Sequence, residues 1–142
     1  MNKTLPNKWV RKAVRDAIHN ITVDGVDIPC FSGRASNTYD FYTLLTTQTN
    51  TENKANKCES WWECSILIDI VTIYNGTNNP ANRSFLDDIT DAIRNATQNI
   101  TLDVSSGLSV IKQNIAEINN LDNQTDTQNV YRNLMRIEMT IN

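Results

Sequence analysis

At 142 residues, 39% hydrophobic and 20% charged, the chain is sized for a single domain, residues 1–142, that buries roughly two-thirds of its unfolded surface. A net charge of −3 and a pI of about 5.0 argue against a dedicated nucleic-acid binder, though a local basic face stays compatible with them. No apolar run nears the roughly 20 residues of a membrane-spanning helix, and the charged start MNKTLPNKWVRKAV lacks a signal-peptide core, so the expectation is assembly in the cytosol without a membrane.

The first predicted element is a helix from about Pro6 to Asn20. Pro6 suits a first turn, where its missing N–H costs nothing. Val10, Ala13, Val14, Ala17, Ile18 and Ile21 recur at helical spacing as an apolar stripe. Lys8, Arg11, Lys12 and Arg15 gather on the other side. That basic face is either solvated surface or a contact for an acidic partner or for passing DNA. His19, the only histidine, falls at the helix end as a cap or surface residue. In ITVDGVDIP, Asp24-Gly25 between β-branched pairs is a hairpin signal, because both turn positions tolerate positive φ. Pro29 places this stretch at an edge or a bend. Cys30 and Phe31 continue it briefly, and SGRASNTYD reads as loop.

Phe41–Gln48 is the next predicted strand. Thr49–Glu59, TNTENKANKCE, is polar and aperiodic, and reads as a long hairpin loop or an ordered arm. Trp61–Tyr74, WWECSILIDIVTIY, is a long strand pairing back antiparallel. Trp62, Cys64, Ile66, Ile68 and Ile70 share its dry face; Trp61, Glu63, Ser65, Leu67, Asp69 and Val71 share a mixed one. Asn75-Gly76 ends it. Ser84 is predicted to start a second helix, with Asp87 at capping-box spacing and Asp87, Asp88 and Asp91 near the positive end of the dipole. Phe85, Leu86, Ile89, Ala92, Ile93 and Ala96 form its buried stripe, which Ile100 extends. Leu108–Leu121 is read as strand from its β-branched residues. Asp122–Gln128 is a polar turn, and Val130–Ile141 closes the chain as a strand with Tyr131, Met135, Ile137, Met139 and Ile141 on one side.

Candidate chemistry is sparse. The sequence has no nucleophile elbow, phosphate-binding loop, HExxH or GxGxxG pattern. Cys30, Cys58 and Cys64 are an odd set without zinc-knuckle spacing, and Cys64 reads as a buried small hydrophobe. Glu63 and Asp69 lie on one strand face roughly 20 Å apart, too far to act as a glycosidase pair. Each reads instead as a salt-bridge or interface residue. No catalytic residue, metal or cofactor is assigned. Apolar side chains alternating with polar ones on the mixed face make a partly apolar surface if helices cover only the other side, and such surfaces mark protein contacts. Trp61, Glu63, Asp69 and Ile73 are therefore the candidate subunit interface. The alternative is that the N-terminal hairpin or the last strand covers this face.

The element order carries a resemblance. A basic amphipathic helix, the segment ITVDGVDIPCFSGR, a hairpin ending in WWECSILIDIVTIY, the helix SFLDDITDAIRNAT and a final strand NVYRNLMRIEMTIN follow in turn. Ile68-Asp69-Ile70 precedes a small loop and a helix containing Ala92-Ile93-Arg94. Over nearly the whole chain this resembles the tail-terminator, or tail-completion, family of tailed bacteriophages. The resemblance implies an α+β fold, a mainly antiparallel β-sheet with two amphipathic helices packed on one face. It implies a structural virion protein rather than an enzyme, forming a homo-oligomeric ring of six or twelve copies in the neck or tail. Such a ring meets the portal or connector and the tail proteins and leaves a channel for transient DNA passage. Other readings are a head-closure or tail-tube-like adaptor, or a small soluble enzyme or ligand-binding domain.

Overall fold

The computed structural model describes residues 4–36, 39–54, 60–75, 83–125 and 127–142. Cys58, the rest of residues 55–59, and the turn from Gly76 to the start of the second helix lie outside the described residues. The fold is α+β. Helix α1 (Asn7–Ile18) leads to a small hairpin, β1 (Thr22–Val23) with β2 (Val26–Asp27), and to β3 (Cys30–Ser32). Long strands β4 (Phe41–Lys54) and β5 (Ser60–Asn75) precede α2 (Arg83–Ala96) and a single 3-10 turn (Val104–Ser106). Strands β6 (Val110–Gln124) and β7 (Gln128–Ile141) complete a five-stranded sheet of order β3-β4-β5-β7-β6. Only the short β3–β4 pairing is parallel.

Local chemistry explains most boundaries. Pro6 sits at the N-cap of α1, and His19 caps its other end, donating its backbone N–H to the Arg15 carbonyl. Asp24 and Gly25 both take positive φ, 52° and 76°, the combination a two-residue hairpin turn requires. Pro29 falls between β2 and β3, outside any ladder.

Two expectations need correction. Thr49–Glu59 is not a loop from its start: β4 runs on to Lys54, in register with β5 from Gln48↔Ile66 to Lys54↔Ser60. A bulge between Leu45 and Gln48 inserts one extra residue and shifts the alternation by one position there. Beyond it both faces are polar, so no period-2 hydrophobic signal marks the strand. The second correction concerns α2. Ser84 already lies inside the helix, which has no acidic residue in its first turn. Asp87, Asp88 and Asp91 fall in later turns, where the dipole no longer favours them. In a smaller adjustment, β6 extends to Gln124, so the turn expected at Asp122–Gln128 is shorter.

Both helices pack on one face of the sheet. Val10, Val14 and Ile18 of α1 and Leu86, Ile89 and Ile93 of α2 meet Leu45, Ile66, Ile68, Ile70, Met135, Ile137 and Ile141 in one continuous core. Each such side chain contributes about 1.5–3 kcal/mol on burial. A polar pin fixes α2 on β7: buried Thr90 donates to the Leu86 carbonyl and accepts from Asn133 Nδ2, both at 2.8 Å. Gln113 ties β6 to the end of α2, donating to the Thr97 carbonyl and accepting from the Ile100 N–H.

Cys64 is buried in this core, and burial, with the charge of Glu63, pushes its thiol up to about 11. A thiol raised from about 9 stabilises the fold below pH 9, and that contribution is lost as pH climbs through 11. The gap in melting temperature between wild type and Cys64→Ala should therefore narrow between pH 9 and 11. A gap that is constant across this range would contradict the assignment.

Candidate functional site

With the helices on one side, the opposite face of the sheet and its two lateral edges are the surfaces left for function. The face divides in two. Near Asp69 it is closed. Arg132 on β7 lies beside Asp69 on β5 and grips it with both arms of its guanidinium, Nε to Oδ1 at 3.1 Å and Nη2 to Oδ2 at 2.6 Å. Asp69 is only 5% exposed. The carboxylate holds the guanidinium charged, raising its pKa. Tyr42, adjacent on β4, has its phenol pushed up by burial and by the Asp69 charge. Phe31 of β3 packs against Tyr39 and Tyr42, ring centres 5.6 and 6.0 Å apart. Val71 beneath them is buried. The cover on this half therefore comes from β3 and its aromatic neighbours. Asp69 is held within the sheet face rather than presented on it, and half-buried Ile73 donates its N–H to the Asp40 carbonyl.

The other half is open. Thr47, Thr49, Thr51, Glu63, Ser65, Leu67, Arg136 and Glu138 line a shallow groove of about 370 Å³. Glu63 is exposed and accepts from Trp61 Nε1 at 2.9 Å and from Thr140 Oγ1 at 3.0 Å. Its carboxylate orients half-buried Trp61 at this end of the sheet. The four residues singled out on the mixed face are thus split: Trp61 and Glu63 sit at the open end, Asp69 and Ile73 at the closed one.

The basic residues of α1 also separate. Lys12 is engaged by Asp16 at 3.1 Å and by Asp103 at 3.5 Å, which raise its pKa. Lys8 lies 4.9 Å from the Trp9 ring centre, a cation–π contact. Arg11 donates to the Thr46 carbonyl of β4 at 3.5 Å, while its Nε is buried without an acceptor among the described residues. The Arg15 charge reaches Cys30 on β3, partly offsetting the rise that burial causes in that thiol. Asn7, at the start of α1, accepts from Gln48 and Asn50 of β4. Arg11 and Arg15 accordingly overlook the β3–β4 side of the sheet. Among the described residues, no ion pair involves Lys8, Arg11 or Arg15.

Sequence reasoning did not single out Arg132, the clamp on Asp69, or the exposed apolar residues Val104, Ile111, Ile118 and Leu121. Register alone would have placed Arg132 opposite Val71, two residues from Asp69 on the same face. No pattern marks the β6 residues, because almost all of β6 is exposed. Among the described residues, no three His, Cys, Asp or Glu side chains gather as a metal site.

The architecture is that of a one-faced α+β sheet protein, and comparison gives it a context. No protein-family model matches the sequence, and no curated protein is similar to it. Among solved structures, the chain is similar to one from the virion of a native gene transfer agent particle. The TM-score is 0.67 at 10% identity, over 94% of this chain and 96% of that one. The two share a fold along essentially their whole lengths.

The clamp makes a stability prediction. Arg132→Leu leaves the Asp69 carboxylate buried without its partner and should cost about 2–3 kcal/mol in urea unfolding. Asp69→Leu combined with Arg132→Leu should recover most of that loss. A single variant within about 0.5 kcal/mol of wild type would show that water, not Arg132, satisfies the carboxylate.

Proposed function

We propose that this chain is a structural virion protein that assembles as a ring in the neck or tail, joining the capsid connector to the tail around a channel for DNA. The observation that carries the proposal is the end-to-end fold likeness to a chain of a virion. The element order from the basic helix to the strand Val130–Ile141 supports the tail-terminator position within it. An open sheet half and uncovered edges provide room for subunit contacts, and a ring requires different patches to meet around its axis. The net charge of −3 suits a channel that lets DNA pass without gripping it. Lys8, Arg11, Lys12 and Arg15 then serve as a contact for an acidic neighbour or for the passing strand, and Trp61 with Glu63 as part of the subunit interface. The same fold likeness also suits a head-closure or tail-tube-like adaptor, because it names a virion and not a position in it.

Mass photometry and negative-stain images of the purified chain test this directly. Rings of six or twelve copies are expected. A compact monomer at every concentration up to about 1 mM would contradict a ring-forming role. Labelling with antibody fragments on intact particles separates the positions: a terminator labels at the head-proximal end of the tail, a tube subunit along its length.

A further inference from the structure

Both lateral edges of the sheet are open. Among the described residues, strand β6 pairs only with β7, along its whole length. Among the described residues, β3 pairs with the outer side of β4 at Thr43–Leu45, and Arg11 donates to the Thr46 carbonyl next to it. From Gln48 to Lys54 no strand among the described residues pairs with that side. An uncovered edge presents a row of backbone donors and acceptors to another chain, and monomeric proteins blunt it with charge, proline or shortness. Strand β6 has 15 residues, no proline and only Lys112, Glu117 and Asp122 as charges. It exposes Ile111, Ile118 and Leu121 at 61%, 41% and 47%. Its two irregularities lie before Glu117, which leaves Glu117–Gln124 as an uninterrupted run.

Strand parity then permits a head-to-tail partner. The four long strands β4, β5, β7 and β6 alternate in direction, so β6 runs opposite to β4. A second copy placed beside the first in the same orientation brings β6 of one against β4 of the next as an antiparallel pair, with the helices of both on the same face. Charge points the same way. The β4 edge is flanked by Arg11 and Arg15, and Lys8 follows Asn7, which accepts from Gln48 and Asn50. On β6, Glu117 is paired with Arg136 at 3.6 Å and Asp122 with Arg83, while neighbouring α2 carries exposed Asp87, Asp88 and Asp91 alongside Arg94. Pairing β6 with β6 would bring the aspartates of two α2 helices together; pairing β4 with β4 would set arginine against arginine.

We propose that copies of this chain join head to tail by antiparallel addition of the β6 edge, through Glu117–Gln124, to the open β4 edge at Gln48–Lys54, with the basic side of α1 meeting the acidic β6 side of the neighbour. The proposal rests on the ring reading and specifies its interface. Because the two patches differ, the contact is heterologous and propagates until it closes, and the twist between neighbouring strands supplies rotation at each step.

A charge swap tests it. Variant A carries Ile118→Lys and Leu121→Lys; variant B carries Lys8→Glu and Arg15→Glu. All four positions are exposed, so unchanged circular dichroism and melting temperature are the folding control. Each variant alone should lose assembly, with association weakened at least about tenfold by like-charge contact. An equimolar mixture should regain particles of wild-type mass, because each altered edge then meets its complement. If the wild type assembles and neither variant weakens it, the edge interface is wrong while the ring reading stands. If variant A dissociates but variant B does not, pairing is β6 to β6 and the head-to-tail arrangement falls. A wild type that never assembles overturns the ring reading and this interface with it.

Discussion

The structure depends on a single strip of side chains where two central strands meet two helices. Ile66, Ile68 and Ile70 on β5 and Met135, Ile137 and Ile141 on β7 are all fully buried, and both helices spend their apolar stripes on this strip. The chain has no third helix among its described residues to cover the other side. One-faced packing is therefore the constraint from which the remaining features follow. The reverse face must close itself with its own side chains or stay available, and it does each over half of its area. Around Asp69 it closes through the Arg132 clamp and the Phe31–Tyr39–Tyr42 group. Around Glu63 it stays open, lined by threonines, a serine and the charges of β7.

The same constraint shapes the edges. A sheet with helices on one face can grow sideways without disturbing its core, because added strands contact only the outermost backbone. Here the outer strands are long and poorly defended. Strand β6 is exposed on both faces along most of its length, so its own packing contributes little to stability and its pairing with β7 holds it in place. That is the expected condition of a strand whose second partner belongs to another molecule. The N-terminal helix contributes differently to the two sides of the molecule. Its Lys12 is absorbed into contacts with Asp16 and Asp103, while Arg11 and Arg15 keep their charge for the β4 side.

Much of the core was legible in the sequence. Period 3.6 in α1 and α2 and period 2 in β5 and β7 identified the buried side chains, since one-faced burial writes its pattern directly into the alternation. The fold class followed from the order of these elements. Three things were less legible. The far half of β4 carries polar residues on both faces and follows a bulge, so it lost its period. The start of α2 was placed at Ser84, one residue inside the helix that begins at Arg83, and its acidic residues follow the first turn. The partner of Asp69 lay 63 residues away on β7, a distance that only strand register resolves. Asp69 was readable as a salt-bridge or interface residue, being too far from Glu63 for a catalytic pair, but the clamp that buries it was not.

The most direct measurement is amide hydrogen exchange on the chain before and after it assembles. If copies join through their sheet edges, Glu117–Gln124 and Gln48–Lys54 should gain protection together on assembly, while the β5 and β7 amides, already paired on both sides, change little. Assembly that leaves both edge segments exchanging as fast as in the isolated chain would contradict the account.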